Sequence, residues 1–266
     1  MAKIGRHVSI ARVRESGGSP GEINPYAAPA APVEEVAAVP AAAGAFRSTT
    51  GLARALALTL SLFVVFRVVQ IIHDVDAIGV MRRVMAQAPY QQSELTAIDH
   101  RSKLLTSTIS MLYLVVVVMF CFFMARANRN SRAFGLAAME FSPGWSAGVF
   151  FVPIWSLYKP YRAMREIWNG SNPDPQSPII FVSQPGTALL KCWWGMFLVT
   201  NLLGQGVNQA FKGSKSPAEF ISRSSAGLIE AGVSAVAAIL AAAVVMAVAE
   251  RQDKRQRSCP AGTRLG

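Results

Sequence analysis

Apolar residues in this chain gather in long blocks instead of alternating with polar ones. Residues 52–72, 104–125, 188–207 and 226–249 carry at most two charges each. Every block reaches the roughly 20 residues that cross a hydrocarbon core of about 30 Å. Backbone groups in lipid must be satisfied within their own segment, so the blocks predict four transmembrane helices. A fifth apolar stretch, FSPGWSAGVFFVPIWSLYKPYRAMREIW at 141–168, follows the second block. Its apolar part, 144–158, covers only about 22 Å as a helix. Pro143 precedes it and Pro153 interrupts it. Such backbone is tolerated at membrane depth only where other helices shield it, so 141–158 is expected to be a short re-entrant segment or tilted half-span.

The polar segments complete the organisation. Residues 1–50 hold no apolar run of signal-peptide form and no core-forming pattern, and read as an Ala/Pro-rich cytoplasmic leader, disordered, ahead of an uncleaved first span. A loop is expected over 73–103, with its second half, from Ser93, helix-compatible. An irregular, proline-rich loop is expected over 169–187, and a mobile basic tail over 251–266. The membrane domain is therefore 51–250. Pro160 suits a first helical turn. Tyr161, Met164 and Trp168 then recur at helical spacing while Arg162, Arg165 and Asn169 point elsewhere, which predicts an amphipathic helix lying in the interface or packing under the bundle. The fold class is an all-α membrane protein: four spans, one half-span and one interfacial helix.

Composition agrees. The chain is 52% apolar and 15% charged, where soluble domains carry about 25% charged residues. A net charge of +11 without a basic stripe of interleaved aromatics excludes nucleic acid as partner. The basic residues sort by side instead. If 141–158 enters and returns, seventeen fall with the termini and seven on the other side; full crossing would give twelve against twelve. Cytoplasmic loops accumulate Lys and Arg, so both termini are expected in the cytoplasm of a multi-pass inner-membrane protein.

Candidate chemistry is sparse. Gly144-Trp145-Ser146-Ala147-Gly148 matches the G-x-S-x-G elbow, but His7, His73 and His100 all precede Ser146, so no later His can serve as base. The sequence is read as a packing motif, with Gly144 and Gly148 spaced for close helix approach, and no catalytic residue is assigned. His73-Asp74-x-Asp76 lacks a metal-ligand spacing and reads as a solvated helix end. Cys121, Cys192 and Cys259 imply no disulfide framework. No cofactor motif is present. Asn201, Gln205 and Asn208 share a helix face and could line a polar path or bond between helices. Gly227, Ala231 and Ala235 form a close-packing seam on the last span.

Two charges inside spans stand apart. Arg67 lies near the outer end of the first span, and Glu230 lies four residues into the last. Shared depth and opposite sign predict an intramembrane ion pair that places these two spans side by side.

The run F-S-P-G-W (Phe141, Ser142, Pro143, Gly144, Trp145), Pro153 in F-x-P-I, and K-P-Y-x-A-M-R-E-I-W (Lys159, Pro160, Tyr161, Met164, Arg165, Glu166, Trp168) resemble a bacterial membrane family catalogued as domain of unknown function 4328. The flanks fit too: Ser93, Glu94, Asp99 and Arg101 in the first loop, and Trp193, Trp194, Phe197 and Asn201 in the third block. The resemblance covers about residues 50–250. It implies a multi-span bacterial inner-membrane protein and supplies no activity. With a leader, an interfacial helix and a basic tail all facing the cytoplasm, the expectation is a non-catalytic scaffold, sensor or regulator in the lipid bilayer, meeting protein partners. The alternative is a small transporter or channel.

Overall fold

A computed structural model describes residues 46–136, 139–173, 187–213 and 216–258. All belong to the unit that begins at Pro40. Expectations for 1–45, for 174–186 within the irregular loop, and for 259–266 with Cys259 lie outside the described residues.

The described chain is helical, with no strand among those residues. Helix α1 runs Thr50–Met85 and α2 runs Gln92–Ala133. The short α3, Pro143–Gly148, and a 3-10 turn at Trp155–Leu157 lead to α4, Lys159–Gly170. Helices α5, Ala188–Ala210, and α6, Pro217–Ser258, complete the chain. Three of them, α1, α2 and α6, are long and apolar enough to cross a membrane. In α5, Lys191, Asn201, Gln205 and Asn208 dilute the apolar stretch.

The first and last long helices pack along each other more than any other pair. Ala53, Leu56, Leu60 and Phe63 of α1 are buried, as are Ala231, Ser234, Ala238, Ala241, Val244, Val245 and Val248 of α6. The small-residue seam thus runs through Ala231 and Ala238, one helical face, while Ala235 is only half-buried. Phe123, Met124 and Ala127 of α2 and Ala163, Met164 and Ile167 of α4 join the same core.

Three boundaries differ from expectation. The loop at 73–103 shrinks to residues 86–91, because α1 continues through Met85. Ala77, Val80 and Ile98 bury a small second core that stabilises the extra turns. At the other end α6 runs on to Ser258, so the tail begins as helix, with Gln252 and Arg255 buried. Residues 46–49, assigned to the leader, are tied down: Phe46 packs on Phe134 at 5.5 Å, and Thr49 is fully buried.

Candidate functional site

The family-like residues converge on a hairpin, Met139–Ser171, closed at both ends onto one layer of the bundle. Gly135, at φ +91, turns the chain back after α2; only glycine adopts that conformation freely. Ser142 then caps α3, its Oγ accepting from Trp145 N at 3.2 Å, with Pro143 in the first turn. After Gly148 the chain bends through Pro153 and Ile154, which sits at φ +68, a costly conformation for a β-branched residue. Pro160 in the first turn of α4 starts the return.

The entry strap is held by α2 and α4. Asn128 Nδ2 and Arg132 Nη2 donate to the Phe141 carbonyl at 3.0 and 2.9 Å. The Glu166 carboxylate accepts from the backbone N–H of Glu140 at 3.0 Å and of Phe141 at 3.4 Å. Burial pushes the Glu166 carboxyl above its ordinary value, and those two N–H groups pull it partly back.

Gln252 holds the exit. Its Nε2 donates to the Ala127 carbonyl at 2.9 Å and to Ser171 Oγ at 3.1 Å. Its Oε1 accepts from Asn130 Nδ2 at 2.9 Å and from Thr49 Oγ1 at 3.2 Å. Asn130 also binds the backbone of Arg47, with its Nδ2 donating to the carbonyl at 2.8 Å. Arg255 Nη1 donates to the Gly170 carbonyl at 2.6 Å. One buried amide therefore joins the start of α1, the end of α2, the end of the hairpin and the end of α6. Sequence reasoning missed this junction: each member is a single polar residue in an ordinary helix end.

Aromatic rings fix the middle of the hairpin. Trp145 and Trp155 meet edge to face at 6.1 Å, and Trp194 Nε1 donates to the Leu157 carbonyl at 3.1 Å. Phe150 packs between Phe120, Trp194 and Phe197. Trp193 packs against Phe120 at 5.8 Å. A cavity of about 110 Å³ is lined by Glu140, Phe141, Trp145, Val149, Trp155 and Lys159. Its charged edge is closed on itself, since Glu140 accepts from Lys159 Nζ at 2.6 Å and from Arg162 Nη2 at 2.5 Å.

Several expected roles change. Ser146 is buried and its Oγ donates to the Pro143 carbonyl at 2.8 Å. Gly144 and Gly148 do not seat a partner helix: a Cβ at Gly144 would meet open space, and one at Gly148 would meet the Trp145 ring at 2.9 Å. Gly148 is small to admit its own neighbour's indole. Glu166 and Asn169 of α4 are buried along with Met164, so this helix packs under the bundle on more than one face. Tyr161 and Trp168 lie partly buried against the core. Asn201 Nδ2 donates to the Phe197 carbonyl of its own helix at 2.8 Å, while Gln205 and Asn208 are exposed on the outside of the bundle. His73 bonds Ser102 at 2.8 Å and Asp74 faces Gln70, so these two do not converge.

At the opposite end of the helices Arg67 is buried, and each of its three guanidinium nitrogens donates one hydrogen bond. Its Nη2 donates to the Glu230 carboxylate, its Nε to Ser234 Oγ at 2.7 Å and its Nη1 to Gln70 Oε1 at 2.8 Å. The pair joins α1 to α6.

The family described as Domain of unknown function (DUF4328) matches residues 87–250, more than half of the chain. The chain belongs to that family. No curated protein and no solved structure matches it.

Proposed function

We propose that this family member is a multi-span membrane protein without chemistry of its own, a scaffold, sensor or regulator that meets its partners at the basic end of the bundle. The observation that carries the reading is how the polar groups of the hairpin are used. Glu166, Asn128, Arg132, Ser142 and Ser146 all bond to backbone of the hairpin, and Glu140 is taken by Lys159 and Arg162. Groups committed in this way position a segment; they are not poised to react.

Membrane residence is supported by the apolar surface that the helices leave uncovered. Only 11% of the apolar window of α2 and 22% of that of α1 is buried. Leu58, Ile72, Met111, Leu114 and Phe122 stand exposed, a surface that a bilayer would cover. Helix α5 has 23 residues, about 34 Å, and serves as the fourth span. The stretch 141–158 is read as re-entrant because Phe141, at its start, and Ser171, just after α4, are tied to the same end of the bundle. That end carries Arg47, Arg126, Arg129, Arg132, Lys159, Arg162, Arg165, Arg251 and Arg255. It is assigned to the cytoplasmic face of a bacterial inner membrane, with both termini there. Of the residues on which the transporter reading leans, Gln205 and Asn208 are exposed and Asn201 bonds its own helix.

The test is photo-crosslinking in cells from positions 129 and 257 at the basic end, with position 90 at the other end as control, paired with solute and ion flux in liposomes. Discrete protein adducts from the basic end without flux support the reading. Flux above empty liposomes without such adducts overturns it.

A further inference from the structure

Three guanidinium groups at the basic end each hold one buried donor, the Nε, that no group among the described residues meets. The Nε atoms of Arg126, Arg165 and Arg251 are buried without a hydrogen-bond partner. None of the three is in an ion pair among the described residues. Folded proteins leave few buried donors unmet by protein, and those few are commonly satisfied by a bound ion or water. Among the described residues the acids at this end are committed elsewhere: Glu140 to Lys159 and Arg162, Glu166 to backbone N–H groups, Asp253 to Ser48 and Thr50, and Glu250 to Lys254.

The three come from separate helices to one layer. Arg251 of α6 stacks on the Trp168 ring of α4 at 4.5 Å. Arg165 stands on α4 less than one turn before Trp168. Arg126 of α2 precedes Ala127, whose carbonyl accepts from Gln252, the residue after Arg251. Below Arg251, at helical spacing on α6, Ala247, Ala243, Leu240 and Val236 form an apolar track that the protein leaves at least partly uncovered. Guanidinium groups above an apolar track match the layout of a phospholipid, a charged head on an apolar chain, and not that of a free anion.

We propose that Arg251, stacked on Trp168, together with Arg165 of α4 and with Arg126 in the same layer, binds the phosphate of an anionic phospholipid headgroup, its acyl chain lying along α6. The guanidinium fork suits phosphate oxygens, and basic pockets between spanning helices on the cytoplasmic side recognise such headgroups. The site rests on the membrane reading above and supplies it with a ligand.

The full-length protein in neutral detergent is titrated with short-chain phosphatidylglycerol, short-chain phosphatidylcholine and inorganic phosphate, with Tm as readout. Phosphatidylglycerol is expected to raise Tm saturably and at lower concentration than the other two. Arg165→Gln and Arg251→Gln should each weaken that response roughly tenfold, the scale of one charge-assisted hydrogen bond. Arg223→Gln, exposed at the opposite end, should leave it unchanged. If the glutamine variants do not fold, the double variant Arg165→Lys/Arg251→Lys keeps the charges, lacks the fork, and should still respond several-fold more weakly. An undiminished response in these variants overturns the site. Inorganic phosphate acting as well as phosphatidylglycerol overturns the lipid assignment. Because the titration is done in detergent, it reads the site independently of the topology.

Discussion

Gln252 accepts a hydrogen bond from Asn130 Nδ2 at 2.9 Å across 122 residues of chain, with both side chains buried. The contact ties the end of α2 to the end of α6. Through Ala127, Thr49 and Ser171, the same amide reaches three more segments. All of its hydrogen-bonding capacity is used, so truncation orphans several buried partners at once.

Gln252→Leu should therefore destabilise the protein by on the order of 3 kcal/mol, since each buried polar group left unmet costs about 1–3 kcal/mol. Asn130→Leu should cost a similar amount, and the double variant less than the sum of the two. Thermal unfolding in detergent measures all three. Strict additivity would show that the network does not act as a unit.

How much of this was legible depended on what marks a residue in sequence. Arg67 and Glu230 stood out because each is a charge in an apolar block, and the structure brings them together. The stretch 141–158 was marked by its short apolar length and by Pro143 and Pro153. Asn130 and Gln252 were not marked, because each sits where a helix leaves its apolar stretch and polar residues are ordinary there. The extension of α1 through Met85 was hidden for a related reason: Ala77 and Val80 form half of a core whose other half, Ile98, lies on the next helix. Pairing across helices carries these features, and no local pattern encodes it.

Arg67→Ala and Glu230→Ala should each cost about 3 kcal/mol, the scale for leaving one buried partner of an ion pair uncompensated. Arg67→Ala should be the worse of the two, because it also strands Ser234 and Gln70. The double variant should cost clearly less than the sum. A double-mutant cycle with no coupling would mean that the pair adds nothing to the packing of α1 on α6.

Gly170 and Gly144 make a matched contrast. A Cβ at Gly170 would meet Ser131 Cβ and Leu136 Cδ1 at 2.9 Å. Gly170→Ala should therefore cost about 1–3 kcal/mol through overpacking where the hairpin leaves the bundle. Gly144→Ala enters open space and should stay within about 0.5 kcal/mol of wild type. Equal Tm values for the two variants would contradict the close approach of α4 to α2.

Glu166 gives a pH dependence. Burial is the main cause of its raised value, so the folded protein holds this proton more tightly than the unfolded chain does. Its contribution to stability is full below the ordinary value of 4.5 and is lost as pH rises through the raised folded value. The Tm difference between wild type and Glu166→Gln, which cannot titrate, should fall as pH is raised from about 4 to about 8. A difference that is flat, or that grows with pH, would contradict this sign.

A re-entrant 141–158 requires that the chain entering at Phe141 return, before α4, to the same side of the membrane. Reporter fusions after Asn130 and after Gly170 test this directly, with fusions near Pro89 and Gly213 as controls for the other side. Cytoplasmic signals are expected after Asn130 and Gly170, and periplasmic signals at the two controls. A periplasmic signal after Gly170, with a cytoplasmic one after Asn130, would show that the segment crosses and would contradict the proposed topology.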